Sequence, residues 1–125
     1  MDEVFKTKLS KTLNSLKDNT VLVICGNSRL AKITFLEEIC KITGTKVMNS
    51  KSINFEIDRL VKENKKVAID EAEDFIRRNK NNEIPEHFYI LCLKENDIDS
   101  NSLIETLIMI DHIFVKKDRV HLVCI

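Results

Sequence analysis

The residues best equipped for chemistry each follow an apolar run. Gly26 closes Thr20-Val21-Leu22-Val23-Ile24-Cys25, and Lys32 stands six positions further on. A glycine lets backbone N–H groups turn toward an anion and a lysine adds positive charge, so this stretch suits a phosphate. An ordinary strand-to-helix turn with a solvated lysine uses the same residues. Asp70 and Glu71 end a second run, Val67-Ala68-Ile69, while Lys94-Glu95-Asn96 follows a third from Phe88 to Leu93. Paired carboxylates suit a metal cation or proton transfer, and they equally suit the positive end of a helix dipole. In a parallel sheet, ligands bind outside the carboxyl ends of the strands, so all three places would share one rim.

The stretch Gly26-Asn27-Ser28-Arg29-Leu30-Ala31-Lys32-Ile33 resembles a Walker A loop, G-x-x-x-x-G-K-[ST], with Ala31 at the second glycine and Ile33 at the hydroxyl position. Thr34 comes one step late, and one step turns a helical side chain by about 100°. Val67-Ala68-Ile69-Asp70-Glu71-Ala72-Glu73-Asp74-Phe75 resembles a Walker B strand. With both signals in order, residues 20–125 resemble the P-loop NTPases, the class that includes AAA+ and RecA-like ATPases and thymidine kinases. The resemblance implies ATP and Mg2+ as ligands. It puts Gly26, Asn27, Ser28, Arg29, Leu30, Ala31 and Lys32 on the phosphates and Asp70 on magnesium. Glu71 would polarise the attacking water and Asn96 orient it, with Lys94 competing for that last role.

Three functions then compete. One is weak ATP binding or hydrolysis. Another is a catalytically inactive, ATPase-derived scaffold in a DNA-processing or replication assembly, favoured by Ala31 and Ile33. The third is a thymidine-kinase-like phosphotransferase, which lacks here the cysteine cluster of that group's zinc lobe.

Helices and strands must position these residues. Phe5, Leu9, Leu13 and Leu16 at helical spacing predict an opening helix within residues 1–19, ahead of an α/β core over 20–125. The β-branched run 20–25 predicts a strand covered on both faces. Helices are expected over 29–42 with Gly44 as cap, after a Ser52 cap with Ile53, Ile57, Leu60 and Val61 inward, over 71–80, and from Ser100 or Ser102 through Ile110. Further strands are expected at 46–48, 67–69, 88–93, 113–115 and 120–124, the last two joined by a hairpin turn at 116–119. This alternation predicts one domain, a three-layer α/β/α sandwich with a mainly parallel five- or six-stranded sheet and an antiparallel last strand.

Composition sets the outer limits. The 125 residues are 43% hydrophobic, and 20 basic residues balance 20 acidic ones, so no net charge draws the chain to nucleic acid or an anionic membrane. Arg77-Arg78-Asn79-Lys80 is the one local basic cluster, and it has no interleaved aromatic residue. No apolar run is long enough for a membrane span and no signal-peptide core opens the chain, so a cytoplasmic protein is expected. Cys25, Cys40, Cys92 and Cys124 read as buried reduced thiols, and His87, His112 and His121 have no zinc-ligand spacing.

Overall fold

The computed structural model describes residues 3–82, 84–114 and 120–125, apart from the side chains of Ser52, Asn54 and Phe55. The elements are α1 (Glu3–Ser15), β1 (Val21–Cys25), α2 (Arg29–Thr43), β2 (Val47–Asn49), α3 (Ser50–Lys62), β3 (Val67–Asp70), α4 (Glu73–Arg78), β4 (Tyr89–Cys92), α5 (Asn101–Ile113) and β5 (Val120–Cys124). The five strands lie in the order β2-β3-β4-β1-β5. Every pairing is parallel.

Side-chain alternation along the strands divides the core into two layers. Val21, Val23 and Cys25 of β1 join Val67, Ile69, Tyr89 and Leu91 under α3, α4 and α5. Leu22 and Ile24 join Ala68, Ile90 and Cys92 under α2, where Phe35, Leu36 and Ile39 meet them. Phe5, Leu9 and Leu13 of α1 pack on that second layer, with the Phe5 ring edge-on to Phe35 at 5.5 Å. Burying one such aliphatic side chain is worth roughly 1.5–3 kcal/mol, and β1 buries all five of its residues.

The chain moves one way from β1 to the edge strand β2, then returns through β3 and β4 and passes β1 to reach β5. The helix after β1 covers one face, and the helices after β2, β3 and β4 cover the other. The connections leaving β1 and β4 therefore part to opposite faces, and the crevice between their carboxyl ends is the switch point where such sheets bind ligands.

Local signals explain the helix ends. Ser28 caps α2, its Oγ accepting the Ala31 N–H at 3.2 Å. Gly44 ends that helix in the left-handed conformation at φ 67°. Helix α3 starts at Ser50, two residues before the expected Ser52 cap, because Asn49 Oδ1 accepts the Lys51 N–H at 2.9 Å. Ser100 caps α5 through the Leu103 N–H at 3.1 Å.

Two expectations are corrected. Ile113 is the last residue of α5, not the start of a strand, because Leu103, Thr106, Ile110 and Ile113 keep helical spacing and stay buried. Phe114 caps that helix, and its ring packs 5.4 Å from Tyr89. With a helix in place of the expected strand, the chain crosses over the sheet, and β5 pairs parallel with β1, not antiparallel. Val115 and the expected turn at 116–119 lie outside the described residues.

Gly26 carries a steric demand that Gly44 does not. Gly26 has φ 152°, and a Cβ there would meet the Ile125 carbonyl oxygen at 2.3 Å, whereas a Cβ on Gly44 would meet nothing within 4 Å. Gly26→Ala is expected to lose about 3 kcal/mol and Gly44→Ala about 1 kcal/mol in urea unfolding. Equal losses would mean that the Ile125 carbonyl does not constrain Gly26.

Candidate functional site at the ends of β1, β4 and β3

Only Gly26, Asn27 and Ser28 separate β1 from α2. Arg29, Leu30 and Ala31 already form the first helical turn, so they do not wrap around a cavity. Leu30 is 76% exposed. The stem of Lys32 runs inward, and the residue is fully buried. Its ammonium donates to the Glu95 carbonyl at 2.6 Å, across the crevice between β1 and β4. Burial lowers the Lys32 ammonium below its ordinary value of 10.5, with the neighbouring Arg29 charge acting in the same direction.

Asp70 is engaged on both oxygens. Oδ2 accepts from Arg29 Nη2 at 2.7 Å, and Oδ1 accepts the Glu71 N–H at 2.8 Å. The guanidinium spans outward from this bond: Arg29 Nη2 lies 3.8 Å from Glu71 Oε1, and Nη1 lies 4.0 Å from the Cys92 sulfur. Burial is the largest single influence and acts to lower Arg29, but the hydrogen bond to Asp70 and the charges of Asp70, Cys92 and Glu71 together outweigh it and hold the guanidinium above its ordinary value. Glu71 has φ 49°, a left-handed backbone that is costly for a residue with a side chain. The turn is held by Ser50, whose Oγ donates to the Glu71 carbonyl at 2.6 Å.

Glu73, which follows the Asp70-Glu71 pair by two residues, is the central residue of this rim. It is buried, and its two carboxylate oxygens accept the Lys94 and Glu95 N–H groups, each at 2.8 Å. The loop after β4 is thus gripped from both faces, by Glu73 of α4 at its N–H groups and by Lys32 of α2 at its carbonyl. Asn27 adds a longer contact, Oδ1 accepting the Ile98 N–H at 3.4 Å. Asn96 is exposed beside this grip. One sequence signal could have found Glu73: it stands beside Ala72, Phe75 and Ile76, on the edge of the helix's inward stripe.

The expected site residues are therefore brought to one rim but paired differently from the resemblance. Lys32 meets Glu95, while Arg29 meets Asp70. As placed, these residues do not fit magnesium: Asp70 is spent on Arg29 and a backbone N–H, and Ile33 offers no oxygen. Among the described residues no group of three acids, histidines or cysteines could hold a metal ion. A cleft of about 430 Å³ opens beside the grip, lined by Glu71, Glu73, Asp74, Arg77, Lys94, Glu95 and Ser102. Four carboxylates against two cations make it unsuited to a triphosphate.

The basic cluster is partly consumed within the fold. Arg77 pairs with Asp74 at 3.1 Å, and Arg78 donates to the Ser50 and Asp74 carbonyls. Of the cysteines, Cys25, Cys40 and Cys92 are buried as expected, but Cys124 is exposed because β5 is an edge strand. Among the described residues no helix is long and apolar enough to cross a membrane. No protein-family model, no curated protein and no solved structure matches this chain.

The grip makes two predictions. Glu73→Ala strands two backbone N–H groups and is expected to cost about 2–3 kcal/mol in urea unfolding, against under about 0.5 kcal/mol for the half-exposed Glu71→Ala. The second concerns pH. Because the folded Lys32 binds its proton less tightly than the unfolded chain, stability rises with pH between its lowered value and 10.5. The stability of the natural chain relative to Lys32→Met should therefore climb across that window. A flat difference would mean that the buried amine has an ordinary affinity for its proton.

Proposed function

We propose that this chain is a P-loop NTPase-like domain that acts as a noncatalytic scaffold, a subunit of a cytoplasmic nucleic-acid-processing assembly with its phosphate loop closed on itself. One observation carries the reading: the Lys32 ammonium is fully buried and bonded to the Glu95 carbonyl at 2.6 Å. A lysine in that state is not available to a phosphate unless the loop after β4 lets go. Letting go would strand the Glu95 carbonyl and strain the two N–H bonds to Glu73. The short turn at Gly26, Asn27 and Ser28 supports the same reading, since three residues cannot encircle a phosphate group. The ancestry rests on the order of the strands' polar ends, with Gly26 and Lys32 after β1, Asp70 and Glu71 after β3, and Asn96 after β4. A scaffold also needs contact surface. Ile104 and Ile108, one turn apart on α5, are about half exposed, as is Leu122 on the edge strand β5.

The test is thermal unfolding with millimolar ATP and magnesium, in the natural chain, in Lys32→Ala and in the exposed control Lys62→Ala. The expected result is no shift in any of the three. A ligand at a hundred times its Kd would stabilise the fold by about 2.7 kcal/mol, so a working site is easily seen as a rise of several degrees. A rise lost only in Lys32→Ala would overturn the closed loop and establish nucleotide binding. Phosphate release that Glu71→Gln abolishes would then establish hydrolysis, and phosphorylation of an added nucleoside would establish the kinase reading.

A further inference from the structure

Cys25 and Cys124 are register partners on the adjacent parallel strands β1 and β5. Side chains at paired positions of parallel strands project from the same face, and here the two sulfurs lie 3.1 Å apart. Neighbouring strands about 4.8 Å apart hold paired Cα atoms within the range of roughly 4.4–6.8 Å that a disulfide spans. The two thiols differ in access. Cys25 is 2% exposed, with its sulfur also 3.6 Å from the Val123 carbonyl, whereas Cys124 is exposed at the sheet edge. The other two cysteines are set apart, Cys40 in α2 against the opposite face and Cys92 beside Arg29.

We propose that Cys25 and Cys124 are a redox-active pair that a low-molecular-weight disulfide of the oxidised-glutathione class converts, by two thiol–disulfide exchanges, into an intramolecular disulfide joining β5 to β1. In the first exchange the Cys124 thiol loses its proton and attacks one sulfur of the small disulfide. That sulfur–sulfur bond breaks, and one small thiol leaves with a proton. In the second, Cys25 loses its proton and attacks the Cys124 sulfur, expelling the other small thiol. Two protein thiols are oxidised by two electrons, and one small disulfide is reduced to two thiols. Exposure makes Cys124 the group that opens the reaction. Burial and the contact with Cys124 push the Cys25 thiol up to about 12, which keeps it from opening the reaction; its part in the second step rests on the 3.1 Å approach of the two sulfurs.

The bond would act where β5 is weakest. Among the described residues β5 has β1 as its single neighbour in the sheet, and His121, Leu122 and Cys124 are exposed. The disulfide would fasten the edge strand at the residue before Gly26, next to the Ile125 backbone that Gly26 accommodates. This inference depends on the β1–β5 geometry alone and stands whether or not the site binds nucleotide.

The experiment treats the full chain with oxidised glutathione and reads intact mass and non-reducing peptide maps. Expected are the loss of two hydrogens, a peptide linked through Cys25 and Cys124, and two of the four thiols left for alkylation. Cys124→Ser should abolish the change, and Cys40→Ser should leave it intact. Closing the loop from Cys25 to Cys124, 99 positions apart, should raise the Tm of the oxidised form by on the order of 10 °C, an effect reversed by a reducing thiol. Cys124 is exposed, so Cys124→Ser should keep the reduced form's Tm, and Cys124→Ala provides the same test if it does not. A stable glutathione adduct on Cys124, a dimer linked through Cys124, a different cysteine pair or no reaction would each overturn the proposal.

Discussion

A parallel strand with a neighbour on each side and a helix layer on each face can expose almost nothing, and β1 is such a strand. Its five residues are all buried, and it sits between β4 and β5. Parallel pairing obliges every connection to cross back over the sheet, so the helices exist to make those crossings as well as to cover apolar surface. Because the chain leaves β1 toward one edge and later passes it toward the other, its crossings divide between the two faces. The crevice between β1 and β4 follows from that division.

What occupies the crevice sets this protein's character. The chain fills it with its own polar groups: an ammonium from one face, a carboxylate from the other and the loop after β4 between them. A buried cation is tolerable only with an acceptor at hydrogen-bond distance, and a buried carboxylate only with donors on both oxygens. The Glu95 backbone supplies the acceptor for Lys32 and one donor to Glu73, and the Lys94 N–H supplies the other. The Arg29–Asp70 pair lies further out, partly solvated, and contributes less than its 2.7 Å distance suggests.

That closure decides what the rim can offer a ligand. The polar residues that follow β1, β3 and β4 share one rim, yet their bonds run to one another. Asp70, read as a metal ligand, holds Arg29. Lys32, read as a phosphate ligand, holds a loop. Glu73, given no role by the resemblance, is the residue whose carboxylate orders that loop.

Much of the fold was legible because local physics dictated it. The β-branched runs after Thr20 and Lys66 had to be strands buried on both faces, Gly44 had to end α2, and Ser100 could cap α5. The candidate positions were legible for the same reason, since polar residues directly after buried strands can lie only at the rim. The direction of β5 was not legible, because Ile113 and Phe114 have strand-forming side chains and only their packing under the sheet made them the end of a helix. Nor was the pairing at the rim. Lys32 and Glu95 are far apart in sequence, as are Arg29 and Asp70 and the sulfurs of Cys25 and Cys124, and a sequence shows spacing along the chain but no distance across it. Residue types and periodicity by themselves determined which groups reach the strand ends; the tertiary structure alone decided which of them meet, because burial in a shared crevice forces each charge onto the nearest partner.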